Sequence, residues 1–191
     1  MPETHVNRCS WPTKDEQYLT YHDQEWGRPV HDDDRLFEQL VLEGAQAGLS
    51  WITILKRRHH YKRVFCQYDV VTLAAFTEHD IAAALQDKGI IRNRLKVQSV
   101  VNNAAKFIDV QQEFGSFDAY IWGFVDGVTI VNKFEKNANI PAQTELSARI
   151  AKDLKKRGFK FVGPIGMYAY MQSIGMVNDH LTSCFCYSEC C

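Results

Sequence analysis

No segment of the 191-residue chain approaches the ~20 consecutive apolar residues that a membrane-spanning helix requires. The opening MPETHVNRCSW lacks a basic stretch followed by an apolar one, so no secretory leader is expected, and the cytoplasm is the expected compartment. Thiols stay reduced there, which argues against a disulfide framework for the six cysteines, at positions 9, 66, 184, 186, 190 and 191. Internal repeats, low-complexity tracts and a G-x-G-x-x-G phosphate fingerprint are all missing. So is an excess of either charge: the formal net charge is −1, and no global field marks a partner.

The charges are nevertheless segregated. KRRHHYKR (56–63), RNRLK (92–96) and RIAKDLKKRGFK (149–160) are basic, whereas DDDRLFE (32–38) is acidic. Basic runs folded onto one side would make a nucleic-acid face; separate solvated helix faces would read the same way. Hydrophobic content of 46% is that of an ordinary globular protein, and the length allows one core or two small lobes sharing one.

Helical punctuation dominates, and the expected fold class is all-α. Asp32–Asp34 can cap a helix in which Leu36, Phe37, Leu40 and Val41 recur at helical spacing, ending near Gly48. Ser50 looks like the cap of a single helix over 51–65. Thr77-x-x-Asp80 opens another that closes at Gly89, residues 92–112 read as a further helix, and Ser116 is a cap for 117–125. Residues 128–143 are irregular, with a short β-like run VTIVN and Pro141. Thr144 opens a helix that ends at Gly158, and Pro164 suits the first turn of one that ends at Gly175. Asn178 is read as the cap of a last short helix carrying His180 and Cys184.

Three constellations carry chemistry. Cys9 with His22 and His180 with Cys184 form two half-sites at the two ends of the chain. Together they are a complete tetrahedral zinc set, with no position left for substrate. Spacing alone does not pair them, chance placement competes with the metal reading, and Cys186, Cys190 or Cys191 could substitute. The second constellation is aromatic: Trp11, Tyr18, Tyr21, Trp26 and Trp51, interleaved with Glu25 and Glu43. Glu43 lies on the apolar side of its helix, so it is either paired with Arg35 or Lys56 or kept for a ligand that is cationic or donates hydrogen bonds. The third is KKRGFKFVGPIGMYAYMQ (155–172), a helix–hairpin–helix pattern. The N–H groups behind Gly163, with Lys155, Lys156, Arg157 and Lys160, could grip a phosphate; a helical hairpin with a solvated basic end fits the pattern equally.

YHDQEWG (21–27), LEGAQAGLSWITILKRR (42–58), GIIRNRLKVQSVVNNA (89–104), LKKRGFKFVG (154–163) and MQSIGMVNDH (171–180) resemble, in this order, the 3-methyladenine DNA glycosylase I family. The likeness runs from about Arg8 to Tyr187. It implies an all-α, helix–hairpin–helix DNA glycosylase-like fold: a single domain over 1–191, with two helical lobes and the hairpin element at about 144–175. It also implies one structural Zn2+ per chain, on Cys9, His22, His180 and Cys184, which joins the N- and C-terminal segments.

The activity implied is hydrolysis of the N-glycosidic bond of a flipped 3-methyladenine in double-stranded alkylated DNA, by a monomer, with the free base as product. By the same resemblance Glu43 is the candidate catalytic and base-edge residue. Tyr21 and Trp51 stack on or line the pocket, with Trp11, Tyr18 and Trp26 around it. Gln46, Gly48 and Leu49 are candidates to fill the gap left by the extruded nucleotide. Lys155, Lys156, Arg157, Lys160 and Gly163 are candidate DNA contacts.

Two departures from the wider superfamily stand out. Asn178 occupies the position of its usual catalytic aspartate, as the resemblance to this family implies. Phe161 stands where the first glycine of the hairpin's Gly-x-Gly would be. The rival readings are a non-catalytic zinc-stabilised DNA-binding module using residues 149–163, and a zinc hydrolase, against which four protein ligands argue.

Overall fold

Short polar side chains ahead of apolar periodic runs set where the helices begin. The structure, a computed structural model, describes residues 6–190. Asp15 starts α1 (Glu16–Gln24) by accepting the Tyr18 N–H, and Asp32 starts α2 (Asp33–Gln46) by accepting the Arg35 N–H. Leu36, Phe37, Leu40 and Val41 of α2 are buried, as their spacing predicts.

The single helix expected over 51–65 is two, α3 (Trp51–Leu55) and α4 (Arg58–Val64). At the junction the Arg57 N–H bonds to Ile54 O three residues back, at 2.8 Å, a tightened turn that ends the first axis. Ser50 makes no side-chain cap, because its hydroxyl pairs with Thr53 Oγ1 at 2.7 Å. Residues 66–68 then turn with positive φ, and Asp69 caps α5 (Val70–Ala74).

A reciprocal Thr77–Asp80 box opens α6 (Glu78–Ala84), Asn93 caps α7 (Arg94–Phe114), and Ser116 caps α8 (Phe117–Trp122). The only strands among the described residues are β1 (Ile130–Val131) and β2 (Val177–Asn178), a parallel pair in the register Ile130↔Val177 and Val131↔Asn178. Between them lie α9 (Glu145–Lys156), opened by a Thr144–Ser147 box, and α10 (Pro164–Ser173), which has proline in its first turn. The helix expected after Asn178 is absent. Asn178 belongs to β2, and Cys184 N–H bonds back to Leu181 O at 2.7 Å in a turn before the 3₁₀ segment Phe185–Cys190. No helix follows β2 before the 3₁₀ segment, so His180 and Cys184 meet through this turn.

The α2 helix packs on α3, α7, α8 and α10, and so lies between the α4–α7 group and the α9–α10 hairpin. Buried apolar residues form one continuous cluster across both groups. A second, smaller cluster joins Cys9, Tyr21, Trp26 and Leu55 to Leu181, Cys184, Cys186 and Cys190, so residues from both ends of the described chain share a core.

The turn from α10 to β2 runs against the chain that leaves α1. Val30 N–H donates to Ile174 O at 3.0 Å, and a Cβ on Gly175 would lie 2.3 Å from the Arg28 carbonyl carbon and 2.4 Å from the Pro29 nitrogen. Gly175 also has φ of +73°, so a side chain meets both backbone strain and backbone atoms that cannot rotate away. Gly175→Ala is expected to destabilise the fold by about 2–4 kcal/mol, read as a lowered melting temperature.

Candidate active site

The largest aromatic concentration in the sequence becomes the wall of one cavity. Tyr18 and Tyr21 come from α1, Trp26 from the turn after it, and Trp11 from the segment before it. Glu43 and Gln46 lie in the last turns of α2, and Trp51 in the first turn of α3. All line a cavity of about 400 Å³. The rings are in contact: Trp11 with Tyr18 at 5.1 Å, Trp11 with Trp26 at 5.0 Å, and Tyr21 with Trp51 at 5.2 Å between centroids. The six residues expected at a base pocket are therefore brought together.

The remaining wall was not anticipated. Asn137, Ile140, Pro141 and Ala142 come from the irregular stretch, and Ile165, Tyr168, Ala169 and Gln172 from α10. The i, i+3, i+4, i+7 spacing of the α10 residues was visible in the sequence as one helix face, but what that face meets is a tertiary fact.

Glu43 is buried, and its Oε2 has no hydrogen-bond partner among the described residues. Neither base considered for it is available: Lys56 pairs with Asp15 at 2.6 Å and Arg35 lies 3.9 Å from Glu25. Glu43 is thus paired with neither of them. Three more buried polar atoms of the cavity residues are unpartnered, the indole N–H groups of Trp11 and Trp51 and the Asn137 Oδ1. Each such atom costs about 1–3 kcal/mol when left unmet, so the cavity suits a flat ligand with both donors and acceptors. Burial pushes the Glu43 carboxyl up to about 8, because no nearby cation offsets the loss of water. Burial, and then the Glu43 and Glu25 charges, push the Tyr21 hydroxyl well above its usual range, so it remains a neutral phenol.

Behind α10, Tyr168 Oη and Gln172 Nε2 donate to Asp179 Oδ2 at 2.6 and 2.8 Å, and Asn132 Nδ2 donates to its other oxygen at 2.7 Å. Both carboxylate oxygens are thus engaged in holding the cavity wall. Asn178 does not act in its aligned aspartate's place: its amide donates to Tyr187 O at 2.9 Å, and its Oδ1 accepts from His180 N–H.

Beside the aromatic wall, Cys9, His22, His180 and Cys184 are all buried, with one ligand atom from each within 4.8 Å of the others. Cys9 Sγ and Cys184 Sγ each lie 3.6 Å from His180 Nδ1, and Cys184 Sγ lies 3.6 Å from His22 Nε2. Sulfur and nitrogen bound to one tetrahedral zinc sit about 3.6 Å apart, given the usual bond lengths. The outer ring nitrogens are oriented too. His22 Nδ1 meets Asp23 Oδ1 at 2.7 Å, and His180 Nε2 donates to Trp26 O at 3.0 Å, leaving the other nitrogen of each ring facing the sulfurs. This is a buried group that could hold a metal ion. Cys186 faces the His22 and Asp23 carbonyls instead, Cys190 is buried beside Gly27, and Cys191 lies outside the described residues.

The loop after Glu43 is anchored at its base. Lys96 Nζ donates to Ala45 O and Ala47 O at 2.8 and 2.7 Å, and Leu49 N–H closes a turn on Gln46 O. Gln46 reaches the cavity, whereas Gly48 and Leu49 lie outside its lining, with Leu49 exposed. In the hairpin, Lys155, Lys156 and Lys160 are exposed and Gly163 is the residue before the first turn of α10. Arg157 differs: it bonds Glu113 at 2.6 Å and Asp153 at 2.8 Å and stacks over Phe114 and Tyr120, so its charge is committed to bracing α9 on α7. Phe161 has φ of +57°, the region that glycine favours, although it is not glycine.

The chain matches a family model described as methyladenine glycosylase over residues 11–187. It is 45% identical to DNA-3-methyladenine glycosylase 1 of Escherichia coli (strain K12) over 182 residues, covering 95% of this chain and 97% of that one. A crystal structure of 3-methyladenine DNA glycosylase I superposes with a TM-score of 0.92 at 47% identity, covering 94% of this chain and 99% of that one. A structure of 3-methyladenine DNA glycosylase I from Staphylococcus aureus, described as giving the basis of 3-methyladenine recognition, superposes at 0.91 with 34% identity, covering 94% of this chain and 96% of that one.

The Glu43 carboxyl makes stability depend on pH. With its folded value raised from 4.5 to about 8, the folded protein binds one proton more than the unfolded chain between those limits, so stability falls as pH rises through them. The loss from this group is on the order of 3–5 kcal/mol in all. Glu43→Gln is expected to remove that slope. Urea unfolding should show the variant gaining on the wild type as pH rises from 5 to 8.

Proposed function

The chain belongs to the methyladenine glycosylase family, and on that premise we propose that it is a monofunctional DNA-3-methyladenine glycosylase. It hydrolyses the N-glycosidic bond of a flipped 3-methyladenine in double-stranded alkylated DNA and releases the base, leaving an abasic site. We read it as a cytoplasmic monomer and as a single glycosylase domain over 1–191. The observation that carries this reading is the unpartnered buried carboxyl of Glu43 in an aromatic cavity.

Methylation at N3 makes the base cationic in DNA. When its bond to C1′ breaks, the bonding pair leaves with the base, which departs neutral. Water adds to C1′ and gives up a proton. The leaving group is therefore already activated, and the protein's tasks are extrusion and selection. Glu43 supplies an acceptor for the base edge and a negative charge that an unmethylated purine does not match. The faces of Tyr21 and Trp51 add about 0.5–2 kcal/mol of attraction for a cation. The indoles of Trp11 and Trp51 offer donors to the base rim, and Tyr18 and Trp26 close the wall. Gln46, Gly48 and Leu49 fill the vacated stack, while Lys155, Lys156, Lys160 and the backbone behind Gly163 meet phosphates.

To the four buried donors we assign one Zn2+. Cys9, His22, His180 and Cys184 fit it by donor type and spacing. When bound it supplies a structural crosslink with no open position for water. The chemistry then sits beside the metal and not on it.

Four outcomes test this reading. The wild type should release free 3-methyladenine from methylated duplex DNA. Binding duplex while leaving the lesion intact would instead favour a non-catalytic DNA-binding module. Glu43→Gln should lower release by about tenfold to about a hundredfold, the scale of one lost charge-assisted hydrogen bond, without loss of fold. Because the carboxylate is the active form, kcat/KM should rise with pH towards about 8. The midpoint for kcat should lie lower, since a bound cation favours the ionised carboxyl. Finally, cobalt substituted into the four-donor group should give the visible spectrum of a closed Cys2His2 site; a spectrum with bound water would contradict the structural assignment.

A further inference from the structure

The tip of the α9–α10 hairpin holds an aromatic residue where the backbone suits glycine. Phe161 has φ of +57° and is 38% exposed, so the strained conformation does not bury the residue fully. Nor is the tip loose. Asn103 Oδ1 accepts the Lys160 N–H at 2.8 Å while its Nδ2 donates to Lys160 O at 3.0 Å, and Asn102 Nδ2 donates to Gly158 O at 2.9 Å. On the other side of Phe161, Val162 is buried in the core. The chain is pinned before and after the residue, and the ring is left partly exposed beside α2.

Its neighbours adjoin residues that line the cavity. A Cβ on Gly44, the residue after Glu43, would lie 3.5 Å from the Phe161 Cβ. Ile165, four residues further on, is exposed and lines the cavity. Leu49, also exposed, is tied by its turn to Gln46 on the cavity wall. Apolar side chains of the hairpin and of the loop after α2 thus lie next to residues that line the cavity, with Lys155, Lys156 and Lys160 on the hairpin.

We propose that Phe161 is a DNA-contacting residue that stacks on a base left exposed when the lesion leaves the duplex, as a second wedge alongside the loop carrying Leu49. The proposal rests on reading the cavity as the pocket for a flipped base. Duplex DNA fits this patch because an opened base stack presents flat apolar faces, and its flanking phosphates match the adjacent lysines.

The test is Phe161→Gly, because glycine adopts the observed φ without strain. The melting temperature should be equal to or above that of the wild type. At the same time kcat/KM for release from methylated duplex should fall by about tenfold to about a hundredfold, the range of one lost base–aromatic stack. Phe161→Trp should restore most of the activity. Affinity for free 3-methyladenine should be unchanged, and release from methylated single strands should fall less than release from duplex. Wild-type duplex kinetics in Phe161→Gly would overturn the proposal, as would equal losses on duplex and single strands or a lowered melting temperature with the activity loss. Absence of base release by the wild type would overturn the pocket reading, and this proposal with it.

Discussion

Residues from near both ends of the described chain meet at one buried point, and the aromatic wall of the cavity hangs from it. Cys9 and His22 bracket Trp11, Tyr18 and Tyr21, while His180 reaches back to the Trp26 carbonyl and packs its ring 4.7 Å from the Trp26 ring. His22 lies 5.1 Å from the Trp11 ring. Fastening these two pairs together therefore does more than tie loose segments. It places four aromatic residues opposite α2, where Glu43 emerges, and opposite α10, which closes the far side. The Arg8–Asp23–His22 chain of contacts and the grip of three donors on Asp179 extend the same rigidity outward.

That rigidity explains how an unfavourable arrangement persists. A carboxyl without a partner, two indole N–H groups and an amide oxygen would relax towards water or towards each other in a soft protein. Here the side chains that could have neutralised Glu43 are held elsewhere, Lys56 on Asp15 and Arg58 between Glu25 and Glu38. The unmet groups are then available to a ligand that supplies what they lack. For a base carrying a formal positive charge, the return is largest at the carboxyl, which passes from an enforced neutral state to a paired anion.

Much of this was legible in the residues, and the failures have physical causes. Local signals work where the decisive contact is local: Asp32, Thr77, Ser116 and Thr144 all cap the helices expected of them, whereas the helix read over 92–112 begins at Arg94 behind an Asn93 cap. They fail where a neighbour decides. The α1 helix was missed because EQYLTYHDQ has little apolar periodicity, its two buried residues being Tyr21 and His22. The break at Arg57 is a single tightened turn in an otherwise helical run. His180 and Cys184 have helical spacing, yet they meet through a strand end and a turn. At the site, Glu43 and the aromatic residues could be singled out by type, but choosing the ligand cysteines needed the family resemblance, and Asn137 and Tyr168 needed the fold.

Glu43 has no partner among the described residues, and a bound base would provide one. Carbon-13 NMR of the Glu43 side-chain carboxyl, assigned by its absence in Glu43→Gln, measures this directly. A titration midpoint near 8 is expected in the protein alone, and a displaced midpoint once 3-methyladenine fills the cavity. A midpoint near 4.5, the same with and without the base, would contradict it.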